Sequence, residues 1–394
     1  MSQDRRFPPP KYNPLVEKLA RLFGRLYLRF ALGIDVLTML DEAVLKAETE
    51  AFRTGKQNLI IAFRHTAKED APALLLGSKG QHLRFLYGRD VLNWAGRSTR
   101  FLFPRLGFVA IQNRHSNTNG MRLLRKEMQN GRFPIALAPE GQVTYHMFQT
   151  DVLQSGVANL AEWALQTKQE ATILPIAIAY RYPEPLTSLL HAWEQKSGMT
   201  LQGEHPLDQA CWSTLDVVAS HFHLECRTHG SYAEKRDDLC AKLLRLGEHE
   251  AGLEDHEGSI LDRLFRLRFA GEDALFTEHP DRGKQQSALQ YLQYAQTVDV
   301  LEYINPSYLL AGNREIREKE VVLNLLDVLN RLDGGSINTR YSPKHKQAFL
   351  LAGEPIRLRT IVRPELSRKE RIQFIQQQVA LGLQETSEAL ESRM

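Results

Sequence analysis

The chain has 394 residues, of which 43% are hydrophobic and 25% charged, a balance typical of a soluble globular protein. Three cysteines, Cys211, Cys226 and Cys240, are too few for a disulfide framework and suit a reducing compartment. No run of about 18 apolar residues predicts a spanning helix. Charge is unevenly divided: residues 1–150 hold 23 Lys and Arg against 12 Asp and Glu, a net of +11, leaving −8 for the rest of a chain whose total is +3. A basic front half attracts anions: phosphate-bearing lipids, an acidic carrier protein, an anionic bilayer or nucleic acid. For nucleic acid, the interleaved aromatics and motif signatures are missing.

The opening, with Arg5, Arg6 and Pro8 to Pro10, lacks the apolar core of a secretion signal. Residues 12–30 are predicted to form an amphipathic helix. Leu15, Leu19, Leu22, Phe23, Leu26 and Phe30 recur at helical spacing, beside a basic stripe of Lys18, Arg21, Arg25 and Arg29. Two placements fit: a helix lying in a bilayer interface with its arginines snorkelling to headgroups, or a helix docked on its own domain.

From residue 58 onward, strands and helices alternate. Asn58 to Phe63 is a short apolar run predicted to be a buried strand, and Ala71 to Leu76 the helix after it. Strands are expected at 82–87, 108–111, 134–138 and 172–180. Helices are expected at 120–129, stopped by Asn130-Gly131, and at 157–167. This rhythm predicts an α/β fold: a mixed, mostly parallel sheet flanked by helices. Residues 187–340 read mainly as helices, among them 259–269, 286–303 and 315–332, and carry all three cysteines. Strand character returns at 348–358, and residues 367–391 form a closing amphipathic helix. The expected organisation is one domain over 1–186 and 341–394, interrupted by a helical insertion of unassigned role at 187–340.

The sharpest chemical feature is Arg64-His65-Thr66-Ala67-Lys68-Glu69-Asp70, directly after the first buried strand. The loop at a strand's carboxyl end is where open α/β sheets place their sites. An imidazole beside a carboxylate is the minimum equipment of a general base. His-x4-Asp alone is weak, and His146 with Asp151 repeats the spacing without a strand before it. Further blocks follow in order: Gly107 to Arg114, Pro139-Glu140-Gly141, and Ile173-Leu174-Pro175-Ile176. Over residues 55–182 this series resembles the phospholipid and glycerol acyltransferase family, best known for its lysophosphatidic-acid acyltransferases. Gly353-Glu354-Pro355-Ile356 is similar to the strand that follows those blocks.

The resemblance implies a single acyltransferase domain moving a fatty acyl group from acyl-CoA or an acyl-carrier protein to a hydroxyl of a lysophospholipid or glycerol-phosphate acceptor. His65 would take the hydroxyl proton and Asp70 would orient His65. Arg114, Glu140 and Gly141 would position the acceptor's phosphate end, and Pro139 and Pro175 would support the donor side or the fold. An arginine fork suits phosphate oxygens. No cofactor and no metal is implied, and attachment would be peripheral, on the cytoplasmic face of a membrane. Three departures stand out: Arg64 where relatives place a small or amide residue, Gln142 where Thr is frequent, and Arg114 one position late. Two other classes compete: a lipid-binding scaffold without turnover, and a thioesterase-like hydrolase. In the insertion, His221, His223, Cys226 and His229 are close enough in sequence to suggest zinc, but not in a paired-knuckle spacing.

Overall fold

The structure, a computed structural model, describes residues 9–394 apart from 89–90, 92–95, 112–117, 168, 255 and 277–280. Two compact units are present: Met1–Pro183 with Lys344–Met394, and Glu184–Pro343.

The first unit opens with α1 (Pro14–Ala31), β1 (Ile34–Leu40), α2 (Glu42–Arg53), β2 (Gln57–Phe63), α3 (Asp70–Gly77) and β3 (Arg84–Gly88). It continues through α4 (Gly96–Arg105), β4 (Val109–Ile111), α5 (Thr118–Asn130), β5 (Ile135–Leu137), α6 (Gly156–Leu165) and β6 (Glu170–Arg181). After the second unit the chain returns and supplies β7 (Lys346–Ala352), β8 (Ile356–Arg357), α13 (Leu358–Ile361) and α14 (Arg368–Glu391). Among the described residues eight strands form one mixed sheet, ordered β1-β7-β6-β2-β5-β3-β4, with β8 also on β6. Strands β6, β2, β5, β3 and β4 are mutually parallel, while β7 and β8 run against β6 and β1 runs with β7.

Every residue of β2 is buried, which is why its sequence is an almost unbroken apolar run. On one face of the sheet Ile60, Ala62, Ile135 and Ile173 pack against α6 and α14 through Val157, Ala161, Ile375, Val379 and Leu383. The last helix starts on a capping box, Ser367 with Glu370, that satisfies two otherwise orphaned N–H groups. Pro175 lies in β6 where the strand changes neighbours, between the β8 pairs at Thr172 and Ile173 and the β7 pairs from Ile176 onward. A proline lacks the N–H a continuous ladder needs, and such a changeover tolerates it.

Three elements of the first unit's sheet region were not expected: β1, an edge strand pairing with β7, and the helices α2 and α4. The strand anticipated at 348–358 is split. Gly353 N–H leaves the ladder for the Pro175 carbonyl, Pro355 follows, and Leu358 already begins a short helix.

Helix α1 is docked through Glu17, Gly24 and Leu28, the residues it buries. Gly24 permits close approach to α3, since a Cβ there would stand 2.5 Å from Leu76 Cδ2. Arg21 is also turned inward. It donates to the Leu75 carbonyl at 2.6 Å and the Gln81 carbonyl at 2.8 Å, and pairs with Glu17 at 2.8 Å. The basic stripe therefore loses a member: Arg21 sits one turn after Glu17 on the docked side, while Lys18, Arg25 and Arg29 stay exposed.

The second unit is helical: α7 (Leu186–Ser197), α8 (Pro206–His221), α9 (Tyr232–Glu250), α10 (Ile260–Phe276), α11 (Arg282–Leu301) and α12 (Arg314–Leu332). Helix α12 is buried on nearly all sides, yet carries charged residues. They are mutually satisfied: Asp327 meets Arg331 at 3.2 Å and Arg340 at 3.0 Å, and Tyr308 donates to Glu320 at 2.6 Å.

Candidate active site

Because β2, β5 and β6 are parallel and in register, their carboxyl ends fall along one edge of the sheet. Ile60 to Ala62 pair with Ile135 to Leu137, and Phe63 pairs with Ile176. The His65 loop leaves β2 at that edge and the Pro139-Glu140-Gly141 turn leaves β5 beside it. Sequence blocks some 75 residues apart are thus neighbours for a topological reason. Thr144 N–H ties them by donating to the His65 carbonyl at 2.8 Å, and Arg64 N–H ties the start of the loop to β6 by donating to the Ile176 carbonyl at 2.9 Å.

His65 Nδ1 lies 3.1 Å from Asp70 Oδ2. The same oxygen accepts from the Thr66 and Ala67 backbone N–H groups at 2.6 and 2.8 Å, and Oδ1 accepts from the Tyr180 hydroxyl at 2.7 Å. Donors converging on both oxygens are the complement of a carboxylate, which offers only acceptors. Asp70 also opens α3, where the helix dipole favours negative charge. The chain turns through 66–69 so that five residues suffice to bring the two side chains together. Asp70 is fully buried, whereas His65 keeps about a quarter of its side chain (27%) exposed. Burial pulls the His65 pKa down, but the Asp70 hydrogen bond and the charges of Asp70 and Glu140 outweigh it and hold the imidazole above its ordinary value.

Glu140 does not face solvent. Its carboxylate is 1% exposed, with Oε1 3.3 Å from Arg64 Nε, whose side chain is 0% exposed. Arg64 Nη2 in turn donates to the His146 and Gln149 carbonyls, both at 2.6 Å. The unusual Arg64 is thus the bolt that holds the 139–150 segment against the end of β2. This placement buries the Glu140 carboxylate against the Arg64 guanidinium. Gly141 adopts φ +79°, a backbone conformation that suits glycine. Pro139 presents its carbonyl to Gln154 N–H at 2.7 Å, fixing the turn. Arg114 lies outside the described residues; β4, which precedes it, ends at the same edge of the sheet as β2.

Sequence reasoning missed Tyr180 and the buried pair Lys346–Glu69, 2.8 Å apart. Glu69 is drawn below the ordinary carboxylate range: burial would raise it, but the Lys346 charge and hydrogen bond prevail. A tyrosine within an apolar strand and a lysine 281 positions from His65 carry no local signal of a shared site.

The outer side of α1 presents an apolar ridge. Leu15, Leu22, Phe23, Leu26, Tyr27 and Phe30 are each more than half exposed. Lys18, Arg25 and Arg29 border it. No helix among the described residues is long and apolar enough to cross a membrane. In the second unit His221 closes α8, and Cys226 Sγ donates to the Leu215 carbonyl at 3.7 Å. Among the described residues no three His, Cys, Asp or Glu side chains converge as a metal site.

No family model and no curated protein sequence matches this chain.

Proposed function

We propose that this chain is an O-acyltransferase that moves a fatty acyl group from acyl-CoA or an acyl-carrier protein to a hydroxyl of a lysophospholipid or glycerol-phosphate acceptor. The observation that carries the reading is the His65 Nδ1–Asp70 Oδ2 contact, set at the carboxyl edge of a largely parallel sheet. With Nδ1 on Asp70, Nε2 is the nitrogen that takes the proton from the acceptor hydroxyl. The hydroxyl oxygen attacks the thioester carbonyl, the C–S bond breaks as the tetrahedral intermediate collapses, and the proton passes from His65 to the departing thiolate. Asp70 fixes the tautomer and stabilises the imidazolium that forms. The buried Arg64–Glu140 pair holds the 139–150 turn beside His65 and adds negative charge near it, so Glu140 acts by positioning. Arg114 remains the proposed phosphate ligand, its fork matched to phosphate oxygens.

The acceptor is amphiphilic, and the ridge on α1 supports its capture at a membrane surface. Apolar side chains facing water with basic neighbours suit an anionic bilayer, into which such a helix buries its apolar face. On this reading the protein is attached peripherally, on the cytoplasmic face. An acidic carrier protein as donor suits the net charge of +11 over residues 1–150.

The test is acyl transfer by purified protein, with labelled donors and a panel of lysolipids and glycerol 3-phosphate, alongside His65→Ala. Loss of the base is expected to cost at least about 10²-fold in rate. Free fatty acid released equally with and without acceptor would identify a hydrolase instead. Lipid binding without any His65-dependent product would leave a scaffold.

A further inference from the structure

Strand β6 reaches past the end of β2. Ile176 pairs with Phe63, the last residue of β2, and Tyr180 lies four residues further on, under the loop that carries His65. Its side chain is buried, at 1% exposure, and its hydroxyl donates to Asp70 Oδ1 at 2.7 Å. The oxygen on His65 is the other one, Oδ2. The Lys346 ammonium stands 5.7 Å from the Tyr180 ring centroid and is itself held by Glu69.

A buried phenol commonly finds a partner for structural reasons alone. Here the geometry argues for more: a carboxylate's terminal torsion is broad and roughly two-fold, so donors on one oxygen alone leave its plane weakly defined. A donor on Oδ1, approaching from a different strand, fixes that plane.

We infer that Tyr180 is a positioning residue for proton transfer: it pins the second oxygen of Asp70, keeps Oδ2 on His65 Nδ1, and shares the Asp70 charge so that the imidazole is less basic than it would be facing an undivided carboxylate. Burial, then the Asp70 and Glu69 charges, push the Tyr180 hydroxyl well above its ordinary pKa, so it stays a donor across the working range. The other charged or titratable groups around this network are Glu140 with Arg64, Glu69 with Lys346 and Lys68, and Tyr182. A substitution that removes one hydroxyl leaves all of them in place.

The rate consequence rests on the acyl-transfer reading; the titration consequence does not. The experiment is an NMR titration of the histidine imidazoles in the full chain, with His65→Gln assigning the resonance, on wild type, Tyr180→Phe, Asp70→Asn and the double variant. Tyr180→Phe is expected to raise the His65 midpoint by roughly one pH unit, the size of one lost hydrogen bond to a charged group. Asp70→Asn is expected to lower it, and in that background Tyr180→Phe should move it no further. Transfer at neutral pH should fall roughly 10-fold in Tyr180→Phe through kcat, with KM little changed, and recover in part as pH rises. Should Tyr180→Phe fold poorly, 3-fluorotyrosine at position 180, a stronger donor, should shift the midpoint the opposite way. An unmoved or lowered midpoint in Tyr180→Phe, an unmoved or raised one with 3-fluorotyrosine, or an equal shift without Asp70, overturns the assignment. The expected titration without acyl product from any donor would sink the acyltransferase reading and leave the Tyr180 role standing.

Discussion

Arg64 and Glu140 face each other with 3.3 Å between Nε and Oε1, and neither side chain reaches water. A pair this deep adds little net stability over apolar residues of the same volume, but breaking it leaves a buried charge uncompensated. Arg64→Met is therefore expected to destabilise the first unit by about 3–5 kcal/mol. The double variant Arg64→Met with Glu140→Met should recover much of that loss. Urea unfolding of the two variants checks this; equal destabilisation in both would mean that the lost Arg64 bonds to the His146 and Gln149 carbonyls, not the unpaired charge, dominate.

The pH dependence of transfer follows from the raised His65 pKa. The base must be neutral to accept a proton, so the rate should rise with pH and level off above a midpoint higher than an ordinary histidine's. Glu140→Gln removes one of the charges responsible and should move that midpoint down. The stability sign is the reverse of the activity sign. A folded-state pKa above the unfolded value of 6.5 stabilises the fold fully below 6.5, and the contribution disappears as pH rises through the folded value. A rate that falls with rising pH across this range would contradict His65 as the base.

On α1 the two kinds of basic residue should behave differently. Arg25→Glu with Arg29→Glu is expected to weaken binding to anionic vesicles by about 1 kcal/mol or more for each residue, with the loss fading at high salt. Leu22→Gln with Phe30→Gln should weaken binding even to neutral vesicles and leave thermal stability almost unchanged, since both residues already face water. Arg21→Ala should instead loosen the helix, because its partners are carbonyls of the protein itself. Vesicle sedimentation beside thermal unfolding separates these outcomes.

Glu17 anchors the same helix by accepting from Tyr12 and Arg21 and by lying 2.8 Å from His82 Nδ1. Burial alone would raise its pKa, but those three partners hold it down, at about 2 against an ordinary 4.5. A depressed carboxylate contributes stability above 4.5 that is lost as pH falls towards about 2. Glu17→Gln should remove that component of acid sensitivity and make α1 more open to protease at neutral pH. Unchanged acid unfolding would show that the cluster is energetically neutral.

What could be read from the sequence was what local pattern determines. The β2 run, the α1 periodicity and the closing helix each rest on patterns within a few residues, and each appears within a residue or two of where it was expected. Strand β1 was invisible because only Ile34 along it is fully buried, so it lacks the apolar continuity of an interior strand. Its neighbour α2 follows Asp41, which sits in a left-handed conformation and makes no side-chain cap bond, so the usual capping geometry is absent at its start. Around the site, the pair His65 and Asp70 was legible because both lie in one loop. The inward turn of Glu140 and Arg21 was not, since a charged side chain reads as solvent-facing until its buried partner is known.

Strand β1 pairs with β7 by matching Ile34 to Lys346, and the Lys346 N–H donates to the Gly33 carbonyl at 2.9 Å. That contact spans more than 300 residues of chain, which dictates an order of events during synthesis. At translation speeds of roughly 5–20 residues per second, β1 waits about 15–60 s for its partner to be made. The helical unit at 184–343 is contiguous and can mature in that interval, while the sheet still has an open flank along β6. Ribosome pausing between residues 183 and 344 should therefore prolong the most aggregation-prone stage of biogenesis, and chaperone demand should peak there rather than after release.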